Sequence, residues 1–219
     1  MLTLYGVYRS RTSRPLWLLA EIGLPFTHVP VIQSRHLPDP SAAGAPLNTA
    51  SPAFLKVNPQ GQIPAMTEGK LVLTESLAIC QHIARKHGGQ LGPQNLDEAA
   101  LIDQWALFAA TGIEAAALEI LYAQEAGEDK TAAGAAKVAD CAARLARPLA
   151  RLEGHLASHQ WLLGARFTVA DIMVAECLRY AQGHTALMAA HPITTAWLKR
   201  CQSRPAFKAM MAQRLAEPA

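Results

Sequence analysis

Every stretch of this 219-residue chain that reads as a β-strand ends by Thr74, and after the Gly88-Gly89 pair the pattern is helical throughout. That segregation narrows the fold more than any single residue does, because strands followed by a run of helices make two differently built units rather than one continuous sheet. "LTLYGV" is a short apolar run ending in glycine and predicts a strand. "RPLWLLAEIG" places Leu16, Leu19 and Ala20 on one helical face and closes on Gly23, the pattern of a helix with a glycine C-cap. "FTHVPVI" is a second β-rich run, so the opening is β-α-β, with parallel strands and a right-handed crossover. Residues 33–53, rich in Pro, Ala, Ser and Asn, predict a long irregular loop with a short helix around "SPAFLKV". "IPAMTEGKLVLTE" then predicts a hairpin through a Glu-Gly-Lys turn, and "SLAICQHIARKH" a helix.

Gly88, Gly89 and Pro93 mark a boundary, after which helices are predicted over 97–125, 130–158, 168–182 and 191–215. The expected organisation is an α/β domain over 1–86, a linker over 87–95 and an all-α domain over 96–219. Hydrophobic residues make up 51% of the chain, enough for two cores, and much of that fraction is alanine, which favours helix. No run approaches the ~20 uninterrupted apolar residues that cross a bilayer. The N-terminus has no basic region followed by an apolar one, so no signal peptide or membrane partner is expected. A net charge of +3 without basic runs interleaved with aromatics gives no case for nucleic acid. Cys80, Cys141, Cys177 and Cys201 are scattered with no C-x-x-C, which predicts reduced thiols in a cytoplasmic protein. His155 and His159 stand four apart without an H-E-x-x-H pattern or a third ligand, so no metal is expected.

Three stretches carry chemistry. "YRSRTSRPLW" gathers Tyr8, Ser10, Thr12 and Ser13 among Arg9, Arg11 and Arg14. A serine ahead of Arg14-Pro15 also reads as a helix cap, and Ser13 is best placed for it. "NPQGQIP" packs two prolines and a glycine into a tight turn that runs into a strand at Ile63-Pro64. A proline opening a strand sits on an edge or follows a cis bond, and a cis bond would turn the Ile63 N–H and C=O toward an added extended peptide. An ordinary proline turn is the alternative. "LVLTESLAIC" ends a strand and puts Glu75-Ser76 at a helix N-terminus, where free N–H groups favour a carboxylate, though Ser76 there also fits a cap. "FTVADI" places Thr168 and Asp171 in capping-box spacing, a folding signal rather than a chemical one.

Taken in order, "YRSRTSRPLWLLAEIGLPF", "NPQGQIPAM", "TESLAICQHIA", "FTVADI" and "AWLKRCQSRPAFKAMM" resemble the glutathione transferase superfamily over essentially the whole chain. The resemblance implies a thioredoxin-like N-terminal domain followed by an all-α domain, glutathione as co-substrate and a homodimer. It also implies that Ile63, ahead of a cis Pro64, pairs its backbone with the cysteinyl part of glutathione. Glu75 and Ser76 would hold the γ-glutamyl end, with Gln62 touching the tripeptide. In the serine-type, theta- and zeta-like classes the thiol-activating serine falls on Ser10; in the tyrosine-type classes the tyrosine falls on Tyr5. This turn has no cysteine, and Arg11 and Thr12 stand where the zeta pattern has a second serine and its cysteine.

The chemistry is consistent with that implication. A thiol with a pKa near ~8.5 is mostly protonated at neutral pH, and a hydroxyl donor beside a helix N-terminus favours its anion. The bound sulfur, not the serine, would be the nucleophile. A small hydrophobic electrophile is expected between the domains, against Tyr8, Arg11, Trp105, Phe108 and Thr111, although the last three, spaced i, i+3, i+6, also fit core packing. The expected activity is glutathione transfer. The alternatives are glutathione-dependent isomerisation, peroxide or disulfide reduction, and glutathione binding without turnover.

Overall fold

The computed structural model describes residues 1–217. Strand β1 (Leu2–Tyr5) leads through a turn to helix α1 (Ser13–Ile22) and strand β2 (Thr27–Val29), which lies parallel to β1 with Thr3 opposite Thr27. Helix α1 ends where expected: Gly23 takes the left-handed conformation, φ 63°, and its N–H bonds the Leu19 carbonyl. A single 3₁₀ turn and the short helix α2 (Pro52–Leu55) interrupt the long loop that follows. Strands β3 (Ala65–Glu68) and β4 (Leu71–Thr74) form the predicted hairpin, and the sheet order is β2-β1-β3-β4, with β3 antiparallel to β1. Helix α3 (Ser76–His87) packs beside α1 on this sheet.

Its core follows from the apolar faces. Leu2, Leu4, Leu16, Leu18, Leu19, Met66, Ile79 and Ile83 are buried, and Val31, Phe54 and Ala65 form a second cluster against which Tyr5 and Ile63 pack. The fold is thus the thioredoxin-like α/β arrangement the sequence predicts.

The helical part begins with α4 (Leu96–Phe108), capped by the Asn95 side chain, which accepts from the Glu98 N–H. A π-helical turn (Ala109–Glu114) joins α4 to α5 (Ala115–Glu125). The segment Leu96–Glu125 is long and apolar enough to cross a membrane by length and composition, yet Ile102, Trp105, Ala106, Ala109, Ile113, Ala117 and Ile120 are buried within the fold. Helices α6 (Ala132–Leu156), α7 (Val169–Leu178), α8 (Thr185–Ala189) and α9 (Pro192–Gln202) follow. Helix α7 is buried along its whole length and starts with the predicted capping box. Asp171 Oδ2 accepts from the Thr168 N–H at 3.0 Å, and Oδ1 accepts from the Leu162 N–H at 3.0 Å and Trp197 Nε1 at 2.9 Å.

The helix predicted over 191–215 is two. It breaks at Ser203-Arg204 because the residue before Pro205 is pushed out of the helical region, and α10 (Pro205–Ala216) starts afresh. Helix α10 packs on α1, with Trp17 and Phe207 edge to face at 4.8 Å. The described residues accordingly form two compact units, 1–89 with 205–217, and 90–204.

Candidate functional site

The turn between β1 and α1 is set by Gly6. Its φ of 137° is open to glycine, and a Cβ there would lie 2.1 Å from Thr12 Oγ1 and 3.2 Å from Ile63 Cβ. The absence of a side chain lets the start of α1 and the Ile63-Pro64 segment close on the end of β1. Ile63-Pro64 is cis. No hydrogen bond among the described residues engages the Ile63 amide or carbonyl, which leaves the main chain beside β3 open to an added strand. The turn before it is held by buried Asn58, whose Nδ2 donates to the Gln62 carbonyl at 2.7 Å while Oδ1 accepts from the Gln60 N–H at 3.1 Å. The Gln62 side chain itself is exposed.

Ser10, not Ser13, organises the entry to α1. Ser10 Oγ accepts from the Thr12 N–H at 3.0 Å and lies 2.7 Å from both the Val7 carbonyl and Thr12 Oγ1. Ser13, expected as the cap, is instead the first helical residue and fully buried; Thr12 occupies the cap position and makes no side-chain cap bond. The physical reason is that the chain already turns at residues 8–12, where the Ser10 carbonyl accepts the Ser13 N–H, so the capping acceptor is needed earlier. Tyr5 points elsewhere: its ring packs 6.3 Å from Phe54 in the second core cluster.

Glu75 and Ser76 sit at the junction of β4 and α3. Glu75 holds φ 66°, ψ 111°, a conformation that costs a non-glycine residue of order 1–3 kcal/mol and that marks sites where geometry is needed. Its side chain is exposed while Ser76 is buried. Ser76 Oγ accepts from Arg14 Nη1 at 2.9 Å. This buried arginine, 1% exposed, links the first turn of α1 to the first turn of α3 and places a positive charge beside two helix N-termini. In the sequence Arg14 reads only as part of an arginine cluster; the signal for its burial is its place directly ahead of the apolar run that begins at Pro15.

The remaining candidates lie in different surroundings. Tyr8 packs edge-on against His28 at 5.5 Å, and burial, then the charge of Glu217, pushes its phenol pKa up. His28 Nε2 in turn donates to the Gly6 carbonyl at 2.7 Å. Arg11 is exposed. Within the helical unit Trp105 is buried, edge to face with Phe108 at 5.4 Å and with His155 at 5.0 Å, and the Arg151 guanidinium lies over both Trp105 and Phe108. Thr111 turns its hydroxyl back onto the Leu107 carbonyl at 2.8 Å. His155 and His159 stack face to face at 4.4 Å, and burial pushes the His155 pKa down. The four cysteines are buried and unbonded to one another.

The profile of the glutathione S-transferase N-terminal domain matches residues 4–91, and that of the glutathione S-transferase C-terminal domain matches 109–205. Glutathione S-transferase 3 of Zea mays is 33% identical over 222 residues, covering 96% of this chain and 93% of its own length. The crystal structure of glutathione transferase F7 from Populus trichocarpa superposes with a TM-score of 0.79 at 31% identity, over 97% of this chain and 99% of that one. A glutathione S-transferase-I bound with lactoylglutathione matches with a TM-score of 0.80 at 27% identity over the same shares. The plant transferases among the relatives are of the phi class, and a theta-class transferase of Xanthomonas axonopodis pv. citri is similar as well (TM-score 0.70, 26% identity, 95% of each chain), so the relatives do not single out the theta- or zeta-like types that the first turn resembles. By sequence profile, by relatives and by fold, the chain belongs to the glutathione S-transferase family.

Proposed function

We propose that the first unit binds glutathione and that the Ser10 hydroxyl donates to its sulfur, holding it as a thiolate that attacks a small hydrophobic electrophile. The protein is a glutathione transferase in this reading, with Ser10 the thiol activator of a serine-type site. The observation that carries it is the convergence at Gly6: Thr12, bonded to Ser10, and the Ile63 side chain both close on the space a Cβ would fill there. Arg14 brings Ser76 and the N-terminus of α3 to the start of α1. An extended tripeptide can thus pair with Ile63 and Pro64, place its α-carboxylate at Glu75-Ser76 with Gln62 alongside, and present its thiol toward the start of α1.

For Ser10 to donate to sulfur, its proton leaves Val7 or Thr12 while the Thr12 N–H continues to donate to its oxygen. That bond polarises the hydroxyl toward donation, and the α1 N-terminus with Arg14 favours the anion. No protein group is consumed: the thiol proton passes to solvent, the sulfur electron pair forms the new bond to carbon, and the displaced group, chloride in the case of chlorodinitrobenzene, departs with its bonding pair.

The candidates for the electrophile belong to separate units, Tyr8 and Arg11 to the first and Trp105, Phe108 and Thr111 to the second, where Trp105 packs on Phe108. The proposed reading takes the protein as a cytoplasmic homodimer without metal, a location that four buried cysteines with no disulfide among them support.

The test is ultraviolet absorbance of the bound glutathione thiolate against pH, in the wild type, Ser10→Ala and Tyr5→Phe. Ser10→Ala is expected to raise the thiol pKa and to lower turnover of chlorodinitrobenzene about 10²-fold, the low end for one such group because the helix dipole remains. A titration moved by Tyr5→Phe and unmoved by Ser10→Ala overturns the assignment.

A further inference from the structure

The turn that carries Ser10 is fastened from the far end of the chain. The Glu217 carboxylate accepts the Tyr8 N–H through Oε1 and the Arg9 N–H through Oε2, each at 2.8 Å. Arg214 adds two bonds of opposite sense: its Nη1 donates to the Tyr8 carbonyl at 2.5 Å, and its own carbonyl accepts from Arg9 Nε at 3.2 Å. On the other side His28 holds the Gly6 carbonyl and supports the Tyr8 ring. The main chain of residues 6–9 is therefore gripped from both sides, and Ser10 is the next residue.

We propose that Glu217, supported by Arg214, is a positioning residue for the Ser10 hydroxyl. The inference rests on the reading of Ser10 as the thiol activator. A carboxylate bridging two successive N–H groups fixes both the place and the tilt of a peptide unit, because both of its oxygens are engaged by donors of a rigid backbone. A turn that would otherwise be an exposed loop gains defined geometry one residue before its working hydroxyl. The grip has a second effect: both amides are taken by Glu217, so neither serves a bound thiolate, and stabilisation of the anion falls to the hydroxyl.

The discriminating experiment is a double-mutant cycle between Glu217→Gln and Ser10→Ala, carried out on the whole chain. The amide keeps the size of Glu217 but sets an N–H₂ group against one of the two backbone N–H groups. Measured are kcat and KM for glutathione with chlorodinitrobenzene, the thiolate titration of bound glutathione, and the thermal midpoint. Glu217→Gln is expected to lower kcat about tenfold, since small misplacements of a working group are costly. It should also raise the thiolate pKa in the same direction as Ser10→Ala, while the glutathione KM changes by less than about twofold. In the Ser10→Ala background it should have no further effect on either kcat or the titration.

The outcomes separate the two ideas. If Ser10→Ala leaves the titration unmoved, the reading of Ser10 fails and this inference fails with it. If Ser10→Ala shifts the titration and Glu217→Gln does not, only the positioning role is overturned. An equal loss from Glu217→Gln in both backgrounds assigns Glu217 to general stability and also overturns it. Arg214→Met loosens the same peptide unit from its other bond and carries the same test should Glu217→Gln not accumulate folded.

Discussion

Arg14 Nη1 donates to Ser76 Oγ across 2.9 Å, and both side chains are buried. Two helix starts, sixty-two positions apart in sequence, are thereby joined by a charged donor and a hydroxyl. Ser76→Ala removes the acceptor for Arg14 and, in the proposed site, a hydrogen bond to the carboxylate of glutathione. Glutathione affinity should weaken by about 1.5–3 kcal/mol, the range for a bond to a charged group. Calorimetric titration checks this; unchanged affinity places the γ-glutamyl end elsewhere.

Gly6→Ala combines a φ of 137° with a methyl group 2.1 Å from Thr12 Oγ1, so either the turn or α1 has to move. The expected cost is at least about 2 kcal/mol by urea unfolding, with loss of glutathione binding. Gly23→Ala is the control, because its Cβ meets nothing within 4 Å and only the left-handed φ of 63° is penalised. Its cost should stay near ~1 kcal/mol with binding intact.

Asp171 accepts bonds from Leu162, Thr168 and Trp197 inside the helical unit. Asp171→Ala leaves these buried donors without an acceptor and should destabilise the protein by about 3–5 kcal/mol. Thr168→Ala removes only the cap hydroxyl and should cost about 1 kcal/mol. Chemical unfolding of the two variants side by side measures the difference.

Glu68 is bonded by His82 Nε2 at 2.7 Å, His87 Nε2 at 2.8 Å and Lys86 Nζ at 2.9 Å. The bond from His82, then those from Lys86 and His87, holds its pKa down at about 2 against an ordinary 4.5, despite an opposing push from burial. A carboxyl depressed on folding contributes stability above its unfolded pKa and loses it as pH falls through the folded value. Stability should therefore drop between about pH 4.5 and 2 by on the order of 2 kcal/mol, and Glu68→Gln should flatten that part of the profile. Acid unfolding followed by circular dichroism tests it.

Local patterns carried most of this structure. The Leu16–Leu19 face and Gly23 bound α1, the Glu-Gly-Lys turn joins β3 to β4, and Thr168 with Asp171 starts α7, because each signal acts within a few residues. What stayed hidden depends on residues distant in sequence. The choice of Ser10 over Ser13 turns on the path of residues 8–12, whose start at Tyr8 and Arg9 is held by Arg214 of α10 and by Glu217 just beyond it. Arg14 could not be read as a buried partner of Ser76 without knowing that α1 and α3 lie side by side. The π-helical turn at Ala109–Glu114 lies in an alanine- and glycine-rich stretch whose side chains mark no phase, so a continuous α-helix was the natural reading.

Helix α10 completes the unit whose other residues are 1–89, with the whole of 90–204 between them. On a ribosome, which releases the chain from its N-terminus, α1 emerges early but its Trp17 has to wait for Phe207. The helical unit, contiguous in sequence, is complete while the α/β unit still lacks its last helix. The turn bearing Ser10 reaches its final shape only after Arg214 and Glu217 have been made, so the order of synthesis leaves the end of the molecule proposed to bind the thiol to be finished last.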